Sequence, residues 1–188
     1  MGSWTALVAS ALIGALVLLS IIRFNEDVTE DMYLDMMEHV AHEQLMETVR
    51  VLEYDISRIG LGINDPTEPI ITQADSVSFT FHLDYDGNGI IDSVRYYLGD
   101  LNSAANTENP RDRVLFRVEN GGPPTPVSSG LTEFHLNYFD AQGNPAASLD
   151  QITTIVLDIA CESTVIYDGR FARQAWQGRF SPQNLVAK

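Results

Sequence analysis

The sequence predicts an α+β fold, with one long N-terminal helix laid on an antiparallel β-sheet. Three observations carry this reading. The first 22 residues hold no charged side chain. From Asn25 to Ile59 there is no proline or glycine, and apolar residues recur at steps of three to five. After Pro69 the spacing changes to strict alternation, the period of a half-buried strand.

The run MGSWTALVASALIGALVLLSIIRF is long enough to cross a bilayer core, which takes about twenty residues as a helix. A cleavable secretory signal predicts a basic start, a shorter apolar stretch and a small-residue cleavage site. No Lys or Arg precedes this run, which continues into Ile21 and Ile22, so a retained anchor over residues 3–22 is expected. Within it Ala9, Ser10, Ala11, Gly14 and Ala15 are small. Ala11, Gly14 and Ala15 form the surface on which another membrane helix approaches closely, or they are ordinary membrane-helix composition. The chain then divides into residues 1–24 in the membrane, 25–62 as an extramembrane amphipathic helix and 70–188 as a sheet head.

The extramembrane part places Val28, Met32, Met36, Val40, Leu45, Val49, Leu52, Ile56 and Ile59 on one expected stripe, of which Leu45 to Ile59 is expected to pack on the sheet. Eight acids between Glu26 and Glu47 lie largely elsewhere, as a solvated face or a contact for basic patches on neighbouring subunits. Arg50 and Arg58 sit near the end favoured by the helix dipole. His39 and His42 are spaced for a metal, but no third ligand accompanies them and a solvated face is expected. Glycine and proline in GLGINDP stop the helix.

Five to six strands are expected beyond Pro69, with Val77, Phe79, Phe81 and Leu83 facing the core in the first. The net charge of −15 opposes nucleic acid and anionic lipid headgroups as partners. The single cysteine, Cys161, lies in an apolar run and reads as a small buried hydrophobe. No nucleophile elbow, phosphate loop, zinc-protease helix or dinucleotide fingerprint is present, and a noncatalytic protein is expected.

One stretch carries ligand chemistry, FHLDYDGNGIIDSVRYYL. Counted from Asp84, the oxygen positions of a calcium loop fall on Asp84, Asp86, Asn88 and Asp92, with the Ile90 carbonyl and Gly89 also in place. The last position is Arg95 where a bidentate glutamate belongs, and both flanks read as strands, so this is not an EF-hand. Calcium held here would bind weakly, at about 10⁻⁴–10⁻³ M. The same glycines and asparagine also supply the positive φ angles of an ordinary hairpin turn, and both readings stand at this level.

Several segments resemble PilW-like minor pilins and J-type minor pseudopilins of the type IV pilin group. VRVLEYDISRIGLGI looks like their helix end, a polar segment formed here by Asp55, Arg58 and Gly60. FHLDYDGNGIIDSVRYYL, NPRDRVLFRVENG and LTEFHLNYFD are similar to their hairpin and next two strands, and RFSPQNLVAK to their tail. The resemblance implies a pilin-like head on a membrane helix, serving assembly, tip or scaffold of a pilus-like or secretion filament. Its partners would be other pilin-like subunits and inner-membrane assembly proteins. It would lie in the inner membrane as a single pass with the head extracytoplasmic, or in a cell-surface filament. Members of the group carry a basic leader, a Gly-Phe-Thr-Leu-Ile-Glu motif and a glutamate at the fifth mature position. This chain has MGSWTALVAS and no glutamate before Glu26, which suits an uncleaved anchor or a tip subunit. The alternative is a membrane-tethered calcium- or glycan-binding module that never enters a filament.

Overall fold

The computed structural model describes residues 2–65, 67–166 and 169–186. Its contacts divide the chain into two compact units, Met1–Met37 and Glu38–Lys188. A single helix, α1 (Gly2–Ser57), supplies the described part of the first and the start of the second. Among the described residues seven strands follow: β1 (Ile71–Ala74), β2 (Ser78–Leu83), β3 (Asp92–Leu98), β4 (Arg113–Glu119), β5 (Thr125–Phe139), β6 (Thr154–Glu162) and β7 (Arg173–Phe180). A short α2 (Gln183–Val186) closes the described chain. The expected α+β class is what forms.

In the first unit, α1 is long and apolar enough to cross a membrane, and its large apolar side chains from Trp4 to Phe24 are exposed. Ala11, Gly14 and Ala15 stand at i, i+3 and i+4, hence on one face, with nothing within 4 Å of a Cβ built at Gly14.

The second unit has its core between the remainder of α1 and the sheet. Leu45, Val49, Leu52, Ile56 and Ile59 are buried, as expected, together with Ala41, Thr48 and Asp55 on the same face. The single stripe is a correction: Val28, Met32, Met36 and Val40 are exposed and do not continue the face that Leu45 begins. The reason is angular. At about 100° per residue, the five-residue step from Val40 to Leu45 turns the helix about 140°, onto a different face. Truncating a core member such as Leu52 costs about 2–5 kcal/mol.

All strands are antiparallel neighbours in chain order, β1 to β7, one more than expected because Ile71–Ala74 pairs with β2. The loop at 84–92 therefore joins the second hairpin, β2 to β3. Inward residues alternate from Phe79 through Phe81 and Leu83, whereas Val77 lies outside β2 and is exposed. β5 also starts earlier than its apolar pattern suggests, at Thr125 rather than Leu131. Its first half pairs with β4 and its second with β6. The change falls at Gly130, whose φ of +87° suits a residue without a Cβ. The curl brings β5 back to the start of the sheet, where Leu136 N–H donates to the Ser76 carbonyl at 2.8 Å and Tyr138 Oη to that of Asp75 at 2.9 Å.

Cys161 is buried on β6, and burial, with Asp112 and Glu162 nearby, pushes its thiol up to about 12. It is the inert hydrophobe the sequence implies.

Candidate metal loop and its base

The turn between β2 and β3 is organised by its own carboxylates. Asp84 Oδ1 accepts from Gly87 N at 2.8 Å and Asn88 N at 3.1 Å, while Oδ2 accepts from Gly89 N at 3.0 Å. Asp86 accepts from the backbone and side-chain amides of Asn88. Asp92 accepts from Tyr85 N at 3.0 Å and from Asn120 Nδ2 at 2.7 Å. One carboxylate oxygen from each of Asp84, Asp86 and Asp92 lies within 4.8 Å of the others. Three like charges this close repel one another. Among the described residues no Lys, Arg or His forms an ion pair with them. The arrangement can accept a hard divalent cation through oxygen ligands.

The other expected ligands fare differently. Asn88 Oδ1 accepts from Ile90 N at 2.7 Å, so the asparagine brackets the loop from within. Ile90 is exposed at the tip. Gly87 and Gly89 have φ of +78° and +82°, so the turn reading of these glycines also holds. Arg95, at the position where a last ligand belongs, stays clear of the loop. Its guanidinium stacks 5.0 Å from the Tyr97 ring and reaches Ser78, toward the opposite end of the hairpin.

The loop rests on the end of α1. Asp84 N donates to the Leu61 carbonyl at 2.7 Å, and Gly60 N to that of His82 at 2.9 Å. A Cβ placed on Gly62, where φ is +78°, would lie 2.5 Å from the Cβ of Asp84. Arg58 donates to the Tyr85 carbonyl at 2.7 Å and stacks between the rings of Tyr54 and Tyr85. From the other end of the chain, Asn184 Nδ2 donates to the Ile59 carbonyl at 3.1 Å and ties down the turn that follows α1.

Beneath lies a buried ion pair. Asp55 accepts from Tyr96 Oη at 2.6 Å and Arg117 Nε at 2.7 Å, and Arg117 also pairs with Glu119. Burial and then the Asp55 charge push the Tyr96 hydroxyl far above its ordinary range. Burial opposes the charge on Arg117, but hydrogen bonds to Glu119 and Asp55 outweigh it and hold the guanidinium protonated. Sequence spacing could not pair Asp55 with Arg117, 62 positions away, and the roles of Tyr85, Tyr96 and Asn120 were equally hidden. Only the Asn120-Gly121 dipeptide, with φ of 51° and 67°, signals a tight turn there.

His39 bonds Glu43 at 3.2 Å along the exposed helix face, and His42 is exposed beside it, a solvated surface as expected. His135 faces outward from β5. A second buried acidic group lies near the end of β6. Glu162 accepts from Asn109 at 2.8 Å and Arg111 at 2.7 Å, whereas both oxygens of Asp112, 1% exposed, lack a hydrogen-bond donor. No protein-family model matches the chain, and no curated protein or solved structure gives a significant match.

Proposed function

We propose that this chain is a noncatalytic, pilin-like subunit of the minor-pseudopilin kind, anchored in the inner membrane with its head outside the cytoplasm. Its role is assembly of a pilus-like or secretion filament, at the tip or as scaffold. One observation carries the reading: a single helix holds an apolar, membrane-length first part and a later part that covers a seven-stranded antiparallel sheet. Such a helix offers two association surfaces, small residues at Ala11, Gly14 and Ala15 within lipid and an acidic face beyond it. Other pilin-like subunits and inner-membrane assembly proteins are its partners in this reading. The experiment is to shear cells expressing the native protein and to measure the intact mass of the chain in the filament and membrane fractions. Its presence in sheared filaments supports the proposal. Recovery in the membrane alone removes the filament role and leaves a fixed anchor.

The carboxylates of Asp84, Asp86 and Asp92 favour a second reading, a tethered head that binds calcium. In that reading the ion neutralises the loop and stiffens its contact with Leu61 and Gly62. Calcium-dependent melting of a chain absent from filaments would support it over the first.

A further inference from the structure

The sheet has two edges, and they differ. β1 is four residues long, its register with β2 is broken by an irregularity, and Leu149 and Ile152 line one cleft with Ile71 beside it. β7 is eight residues long and pairs with β6 through eight consecutive positions without a bulge. Among the described residues nothing bonds the backbone of Arg173–Phe180 on the side away from β6. β7 contains no proline or lysine, devices that normally blunt such an edge. Trp176 instead lies over Gly178, covering the gap that a glycine leaves in a strand and keeping the edge regular.

Charge says what fits there. The chain carries −15 overall, yet no acid occurs from Gly169 to its last residue, while Arg170, Arg173 and Arg179 all do. Arg173 and Arg179 share the outward face of β7; Arg173 reaches Glu133 at 2.9 Å and Arg179 has no ion pair among the described residues. Self-pairing of two β7 strands about Trp176 sets Arg173 across from Arg179 at both ends, a repulsive match. We infer that the free edge of β7 docks an extended, acidic segment of a partner protein, which adds to the sheet as an eighth strand. Main-chain hydrogen bonds give the affinity and the two arginines select the partner. This site stands whether or not the chain enters a filament.

The test uses the full chain in detergent micelles and a fluorescent ten-residue peptide of alternating glutamate and valine, with a lysine–valine peptide as its counterpart. Anisotropy reports binding, and amide hydrogen exchange reports where. The acidic peptide is expected to bind and to slow exchange across residues 173–180. R173E/R179E weakens it by at least about tenfold, since both cross-strand matches become like-charge pairs. Arg95→Glu, half that charge change and on the exposed face of β3 away from β7, leaves binding within about twofold. The inference is overturned if the acidic peptide does not bind, if it binds without protecting β7, or if the basic peptide binds as well. Concentration-dependent protection of β7 in the chain alone would also overturn it, by making the occupant a second copy.

Discussion

The loops at 84–92 and 140–144 both turn the chain around an aspartate, and they differ in what that aspartate has left to do. Asp140 Oδ1 accepts from Gln142 N at 2.9 Å and Asn144 N at 2.8 Å, and Gly143 takes a φ of +83°. That is a complete turn built on one carboxylate. Asp84 does the same work with Gly87, Asn88 and Gly89, yet Asp86 and Asp92 bring two further charges to it. A turn does not require them. The first loop is also seated on the end of α1. Charge in excess and a rigid seat distinguish a loop suited to a ligand from one that only reverses the chain.

The seat is where the comparison breaks most strongly. Asp55→Ala leaves Arg117 mostly buried with only Glu119, and strands the Tyr96 hydroxyl, 1% exposed. Removing one partner of a buried pair costs about 3–5 kcal/mol. Denaturant unfolding of the full chain in detergent should register that loss. Amide exchange should quicken at 84–92 and remain unchanged at 140–144. Equal acceleration of both loops would mean that the ion pair stabilises the sheet as a whole.

A pair of glycine substitutions sharpens the same contrast. Gly62 and Gly143 have nearly equal φ, +78° and +83°, but Gly62 abuts Asp84 and Gly143 faces open space. Alanine at 143 should cost about 1–2 kcal/mol, the left-handed backbone alone. Alanine at 62 should cost about 2–4 kcal/mol, because Asp84 must also move. Thermal melts of the two variants check the difference; equal losses would mean that the loop yields freely to the helix end.

How much of this was legible follows from which interactions are local. Helix, strands and the buried run Leu45 to Ile59 repeat along the chain, so periodicity reports them. The loop aspartates span nine positions and were readable as a set. Val28 to Val40 misled because spacing counts residues and not the angle accumulated over a five-residue step. β1 and the first half of β5 were missed because ITQA and TPVSSG pair without an apolar alternation. The Asp55–Arg117–Tyr96 base joins segments 41 and 62 residues apart, and nothing in local spacing encodes it.

A smaller effect tests the excess charge itself. With a dissociation constant of about 10⁻⁴–10⁻³ M, 5 mM calcium should stabilise the full chain by about 1–2 kcal/mol over chelator. Asp86→Asn should abolish that shift, and Asp140→Asn should preserve it. An unchanged melting temperature with calcium would remove the metal reading and leave two turns of unequal charge.

The smallest effect separates carboxylates by the sign of their titration. Slight burial acts to raise Asp140, but the amides of Asn144 and Gln142 prevail and hold it below the ordinary carboxylate range. Its stabilisation is complete above that range and is lost as pH falls through the depressed value. Asp112 is the opposite case. Burial raises it, Glu162 adds to this, and Arg111 only partly compensates. Its ionised form is disfavoured in the fold, so a penalty grows as pH rises from about 4 through the raised value and is then constant. Asp140→Asn should therefore melt below the wild type at neutral pH, and Asp112→Asn above it by about 1 kcal/mol, the scale of a buried unsatisfied group. Both differences should shrink toward zero in acid. A difference for Asp112→Asn that persists at pH 3 would trace to packing around Asn109 and Glu162 and not to the charge. Only the pH dependence, and not the sign at one pH, identifies the orphaned carboxylate as the cause.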